Sequence, residues 1–78
     1  MLEAIITAKL SSGFSADLCK DIISETEHYE IHRRHPTGVV KLVSSETSFD
    51  SAVELYFEVV KELVVDAARL YQTPSQPR

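Results

Sequence analysis

The feature that most constrains this chain is a run of apolar residues at helical spacing near its end. The run comprises Phe49, Ala52, Val53, Tyr56, Phe57, Val60, Leu63, Val64, Ala67, Leu70 and Tyr71. Ser48 or Thr47 is suited to cap its start, and Asp50 would lie in the first turn. The pattern predicts a helix about 35 Å long. The preceding residues must therefore supply the layer that covers this helix.

The first third of the chain shows two different spacings of its apolar residues, one typical of a strand and one typical of a helix. Residues 2–10 alternate between apolar and polar side chains, as expected for a half-buried strand, and residues 11–13 (Ser-Ser-Gly) end it. Ser15 is a candidate helix N-cap with Asp17 in the first turn. From residue 16 to 28 the pattern predicts a helix, with one apolar arc formed by Leu18, Cys19, Ile22, Ile23, Thr26 and Tyr29.

The middle of the chain predicts an antiparallel hairpin. A second strand is expected over residues 29–35 and a third over residues 39–43, joined by the turn Pro36-Thr37-Gly38. The order is then β-α-β-β-α, an α+β two-layer sandwich. It corresponds to a ferredoxin-like fold whose last strand is missing or is formed by residues 64–71. The first two strands should be parallel, the third central and antiparallel, and one sheet edge open.

Composition bounds the class of protein. We expect a single domain over residues 1–72 and a flexible tail over residues 73–78. The net charge of −4 makes a nucleic-acid partner unlikely, and no apolar run is long enough to span a membrane. Cys19 is the only cysteine, which excludes an internal disulfide and suits the cytoplasm.

The sequence offers little for catalysis. Cys19 lies on the predicted buried arc, so it is interpreted as a structural cysteine. His28 and His32 have a spacing usable for metal on a helix, but a helix-to-strand junction is predicted between them. We therefore expect no catalytic residue, no metal and no cofactor. A small enzyme using Cys19 or the histidines is the alternative.

Two groups of residues are candidates for binding a partner protein. His32, Arg33, Arg34 and His35 form a locally basic segment in an acidic chain, suited to acidic groups. The apolar arc of the last helix spans about 180°, more than one contact with a sheet requires. Phe57, Val64 and Tyr71 would then remain exposed, which predicts a homodimer through this helix or through the open sheet edge.

Two runs of residues carry a resemblance to a known family. Glu30-Ile31-His32 with the run from Pro36 to Val43, and the ending from Ala67 to Gln72, resemble the NapD family of cytoplasmic assembly chaperones. The resemblance implies a ferredoxin-like fold and binding of a partner enzyme's twin-arginine signal peptide. The element order and the first strand are also similar to the DinI family, which implies a regulatory inhibitor of a DNA-repair enzyme. The open sheet edge and the wide helix arc predict a non-catalytic protein-binding module of the chaperone or adaptor type, which would bind a signal peptide or an extended segment of a partner protein.

Overall fold

Four strands and one helix make up the fold. The structure, a computed structural model, describes residues 1–21 and 26–71. The elements are β1 (Leu2–Lys9), β2 (Ser15–Asp21), β3 (Tyr29–Arg34), β4 (Val40–Glu46) and α1 (Phe49–Tyr71). The strands form one antiparallel sheet in the order β1-β2-β3-β4, and α1 packs on one face of it, mainly over β2 and β3. The α+β class is therefore confirmed, whereas the predicted β-α-β-β-α order is wrong.

The helix expected over residues 16–28 is replaced by a strand. Residues 15–21 form β2, and residues 22–25 of the predicted helix lie outside the described ranges. β2 is an inner strand with neighbours on both sides, and each of its two faces carries buried side chains. Leu18 faces α1, and Cys19 is buried on the opposite face. Leu18 and Cys19, which the helical pattern places on one arc, therefore lie on two faces of a sheet.

Two similar three-residue turns connect the strands. Gly13 N–H donates to the Leu10 carbonyl (3.0 Å), just as Gly38 N–H donates to the His35 carbonyl (2.8 Å). Each glycine has a positive φ, 103° at Gly13 and 99° at Gly38, which closes a hairpin with a bulge. A Cβ at Gly13 would lie 3.0 Å from Cβ of Pro36, so the two turns lie side by side. Ser15 consequently begins a strand and caps no helix.

The order of strands also differs from expectation. β1 pairs antiparallel with β2 and is not parallel to β3. β4, expected at the centre, pairs with β3 and lies at the edge of the sheet. Antiparallel neighbours joined by short turns need no crossover helix, which is why a meander forms here and no ferredoxin-like order does.

Each edge strand contains a bulge. Ile5 of β1 is skipped in the pairing with β2, and Val43 of β4 is skipped in the pairing with β3. An extra residue reverses the side-chain alternation beyond it. Leu2 and Ala4 therefore lie on the sheet face opposite to that of Ile6, contrary to the single apolar face expected for the first strand.

The core lies between β2, β3 and α1. Its buried residues are Phe14, Ala16, Leu18, Tyr29, Ile31, Ala52, Tyr56, Val59, Leu63 and Ala67. The buried Tyr56 hydroxyl donates a 2.8 Å hydrogen bond to the Ala16 carbonyl, which ties the helix to the middle of the sheet.

The bounds of the helix agree with the sequence prediction. Ser48 is its N-cap, accepting from the Ser51 N–H at 3.4 Å, and Asp50 lies in the first turn. Residues 64–71 are helical, so the alternative in which they form a closing strand is wrong. The predicted tail, residues 73–78, lies outside the described residues.

Candidate partner-binding site

A basic cleft lies between the β3–β4 hairpin and the last turns of α1. One cavity of about 540 Å³ is lined by Arg33, His35, Thr37, Val39, Lys41 and Asp66. A second cavity of about 370 Å³ shares three of these residues and adds Phe14, Arg69 and Leu70. Because both cavities share Arg33, His35 and Asp66, we treat them as one site, the basic cleft.

Asp66 organises the cations of the basic cleft. Its carboxylate accepts from Arg33 Nη2 at 2.7 Å and lies 3.8 Å from Arg69 Nη1. The Arg33 guanidinium also lies over the Phe14 ring, 6.0 Å from its centroid. With Lys41, three permanent cations face one carboxylate, in a protein whose net charge is −4. The basic cleft is therefore suited to a negatively charged ligand.

The predicted basic segment is divided between two faces of the sheet. Arg33 faces α1, and His35 lines the basic cleft with its ring edge-on to Phe14, at a centroid distance of 5.1 Å. His32 and Arg34, which alternate with Arg33 along β3, lie on the face not covered by α1. The four residues thus do not form one continuous surface, because side chains alternate along a strand.

The uncovered face carries a cluster in which two histidines share one carboxylate. His28 Nε2 lies 3.0 Å from Glu30 Oε2, and His32 Nε2 lies 2.8 Å from Glu30 Oε1. The hydrogen bond with His32, followed by that with His28, holds the pKa of Glu30 below its usual value. The cluster favours a charged Glu30 carboxylate in the folded protein.

This lowered pKa predicts a loss of stability in acid. The interactions of the Glu30 carboxylate stabilise the fold above its ordinary pKa of 4.5 and disappear as the pH falls through its lower folded value. Urea unfolding of Glu30→Gln should show a shallower loss of unfolding free energy below pH 4.5 than the parent protein. Glu58→Gln, on the exposed surface of α1, is the matched control. Equal acid slopes for Glu30→Gln and the parent would contradict this interpretation.

Cys19 is placed poorly for nucleophilic chemistry. Burial, followed by the nearby charges of Asp17 and Glu30, raises the pKa of its thiol. A thiol with a raised pKa is a weak nucleophile at neutral pH. Within residues 1–21 and 26–71, no group of three or more His, Cys, Asp or Glu side chains is arranged to hold a metal ion.

The outer edge of β4, with which no other strand of the described residues pairs, borders the basic cleft. We call it the free edge of β4. Val40 and Leu42 are 47% and 57% exposed and share the uncovered face, whereas Lys41 points into the cleft. The His35 N–H donates to the Val39 carbonyl, which marks these two residues as a hydrogen-bonded pair. Pairs alternate along an antiparallel ladder, so the N–H groups of Val40 and Leu42 point outward.

The apolar residues proposed for partner binding lie on α1. Phe57 and Val64 are 58% and 49% exposed. Tyr71 is the last residue of the helix, and its side chain lies outside the described part of the structure. Phe57 and Val64 are far along the chain from the hairpin and are not among the described residues that line the basic cleft.

Sequence reasoning missed four of the charged and aromatic residues that line the basic cleft: Phe14, Lys41, Asp66 and Arg69. Lys41 could have been predicted, because it lies as far after the turn Pro36-Thr37-Gly38 as Arg33 lies before it, and the two residues pair across the hairpin. The other three reach the cleft through the tertiary fold, and no local pattern in the sequence marks them.

Searches of protein-family models, curated proteins and solved structures found no match to this chain. In the described part of the chain, no helix combines the length and apolar character needed to cross a bilayer. The candidate site must therefore be interpreted from its own geometry.

Proposed function

We propose that this protein is a non-catalytic protein-binding module of the chaperone or adaptor type. It binds an extended segment of a partner protein as a fifth strand along β4. The observation that carries the proposal is that the free edge of β4 combines exposed apolar side chains with a lysine directed into a basic cleft. A free edge offers main-chain hydrogen bonds to any strand that reaches it.

The alternation along β4 specifies the ligand. An added strand would place alternate side chains beside Val40 and Leu42 on the uncovered face, where apolar residues are favoured. The intervening side chains would lie beside Lys41 and within reach of Arg33, where acidic residues are favoured. The ligand is therefore an extended segment in which apolar and acidic residues alternate.

The positive charge of the basic cleft also favours acidic ligands over basic ones. A twin-arginine signal peptide, which the NapD resemblance implies, would bring like charges toward Arg33, Lys41 and Arg69. Like-charge contacts oppose binding. Acidic segments are therefore favoured, and the proposed chaperone or adaptor role does not depend on a signal peptide.

The enzyme alternative receives less support from the geometry. The buried thiol of Cys19 lies at a register position opposite Glu30, whose negative charge opposes formation of a thiolate. His28 and His32, which lie on either side of Glu30 along the chain, are both engaged with that same carboxylate.

Two synthetic peptides test the proposal by fluorescence anisotropy. One alternates valine and glutamate, and the other alternates valine and lysine. We expect the glutamate peptide to bind at least about tenfold more tightly at low salt, and its affinity to fall as salt rises. Lys41→Glu should reverse part of this preference, because it replaces a cation that faces the ligand. Equal affinity for the two peptides would contradict the proposal.

Substitutions at Val40 separate main-chain from side-chain binding. Val40→Pro removes an outward N–H at the first residue of an edge strand, a position that tolerates proline. Val40→Thr keeps the N–H and the β-branched shape. Weak binding by Val40→Pro with near-normal binding by Val40→Thr is the expected result. If Val40→Pro binds the glutamate peptide as the parent does, the ligand does not pair with β4.

A further inference from the structure

The basic cleft carries more positive charge than its own carboxylate neutralises. Among the described residues that line it, Arg33, Lys41 and Arg69 are permanent cations and Asp66 is the only carboxylate. Three cations and one carboxylate leave two positive charges of this lining uncompensated. A glutamate side chain of a ligand supplies a single negative charge, whereas a phosphate monoester supplies about −1.5 to −2 at pH 7. The charge of the basic cleft therefore matches a phosphate better than a carboxylate.

Most of the arginine hydrogen-bond donors in the basic cleft are not used by Asp66. Arg33 bonds to Asp66 at 2.7 Å through Nη2, which is only one of the nitrogens of its guanidinium. Arg69 Nη1 lies 3.8 Å from Asp66, beyond hydrogen-bonding distance. Guanidinium groups match the terminal oxygens of a phosphate in geometry as well as in charge. Asp66 can therefore hold Arg33 in place while other donors of both arginines bind a ligand.

His35 adds a further donor on the hairpin side of the basic cleft. The Thr37 N–H donates to His35 Nδ1 at 3.2 Å, so Nδ1 is an acceptor. The hydrogen of the neutral ring is then on Nε2. Because His35 lines both cavities of the cleft, a ring N–H can assist the arginines and the lysine in binding an anion.

The free edge of β4 determines which residue of a ligand would carry the phosphate. Lys41 points into the basic cleft, whereas Val40 and Leu42 lie on the uncovered face. In a strand added to β4, one side chain lies beside Lys41 and its two neighbours lie beside the apolar residues. The phosphate must therefore be carried by a residue with apolar neighbours on both sides. Threonine suits this position best, because β-branched residues are favoured in strands.

We propose that the partner segment bound along β4 carries a phosphothreonine, whose phosphate lies in the basic cleft beside Lys41 and Arg33. The inference rests on the proposed function and names the chemistry of its ligand. Phosphorylation of the partner then controls binding, because an unmodified threonine brings no charge to the cleft. A nucleic acid also presents phosphates, but it has no peptide groups to pair with β4, and the net charge of −4 opposes a polyanion.

Three peptides that differ at one position test this inference by fluorescence anisotropy. Each alternates valine and glutamate, and the central glutamate is kept, replaced by threonine, or replaced by phosphothreonine. The phosphothreonine peptide should bind at least about tenfold more tightly than the glutamate peptide, and the threonine peptide more weakly than either. Equal affinity of the phosphothreonine and glutamate peptides would overturn this inference and leave the proposed function intact. Failure of all three peptides to bind would contradict the proposed function as well.

Two cations of α1 provide a variant and its matched control. The side chains of Arg69 and Lys61 are 76% and 73% exposed, and each has its carboxylate partner three residues earlier. Of these two described residues, only Arg69 lines the basic cleft. Arg69→Gln should weaken binding of the phosphothreonine peptide at least about fivefold, whereas Lys61→Gln should leave it unchanged. Equal effects of the two substitutions, including no effect of either, would show that the phosphate does not lie in the cleft.

Phosphorus NMR and competition distinguish a phosphate bound in the cleft from one that stays in solvent. The second pKa of the phosphothreonine should be lower in the complex than in the free peptide, because the cations favour the dianion. Inorganic phosphate should displace the peptide only at concentrations at least about a hundredfold higher, because it cannot pair with β4. An unchanged pKa, or inorganic phosphate as potent as the peptide, would refute the inference.

Discussion

Leu18→Ala should lower the free energy of unfolding by about 2–5 kcal/mol, as measured by urea denaturation. Leu18 is fully buried in the middle of β2, under α1, and its removal leaves a cavity that the flanking strands cannot easily close. A domain this small has a low free energy of unfolding, so a large fraction of the variant should be unfolded even without urea.

Cys19→Ala is the matched control for Leu18→Ala. Cys19 is the next residue of β2, but it lies on the face away from α1 and outside the main core. Its replacement should cost about 1 kcal/mol, since only the sulfur atom is lost. Similar large losses for both variants would indicate that both residues face one core, as in the helix that the sequence pattern suggested.

Tyr56→Ala should have an effect at least as large, about 3–5 kcal/mol. The Tyr56 ring is buried in the centre of α1, and its hydroxyl donates the hydrogen bond to the Ala16 carbonyl of β2. The variant therefore loses both the apolar contact and the polar link between the helix and the sheet.

Tyr56→Phe separates these two contributions. It keeps the buried ring and removes only the hydroxyl, so it should cost about 1 kcal/mol. Urea denaturation of both variants provides the comparison. If Tyr56→Ala unfolds no more easily than Tyr56→Phe, the ring is not part of the core.

The second half of the fold could be predicted from the sequence because its signals are local. The helix Phe49–Tyr71 follows from its apolar spacing and the cap at Ser48. The β3–β4 hairpin follows from the turn at Pro36-Thr37-Gly38. Both predictions rest on short stretches of sequence and do not require the order of the strands in the whole sheet.

The prediction for the residues after β1 is wrong because Ser15 is interpreted as a helix N-cap, whereas it follows a hairpin turn and begins β2. Ser11-Ser12-Gly13 has its glycine at the same position as Pro36-Thr37-Gly38, and both form three-residue hairpin turns. Once the first turn is recognised as a hairpin, residues 15–21 must continue as a strand. The bulge at Ile5 could not be anticipated, since it depends on how β1 meets β2.

The candidate site was predicted only in part, for a related reason. The sequence shows Arg33 and His35 as members of a basic segment, but the basic cleft exists because α1 brings Asp66 and Arg69 to the hairpin. These contacts join residues more than thirty positions apart, such as Arg33 and Asp66. A local sequence pattern does not show how α1 is oriented on the sheet, so it cannot predict these contacts.

Amide hydrogen exchange in the presence of the valine–glutamate peptide tests the central claim most directly. The outward N–H groups of Val40 and Leu42 should exchange rapidly in the free protein and become protected when the peptide binds. The N–H of Lys41, which points toward β3, should be protected in both states. Protection of Val40 and Leu42 would establish strand addition at β4. Unchanged exchange at both residues under saturating peptide would contradict it.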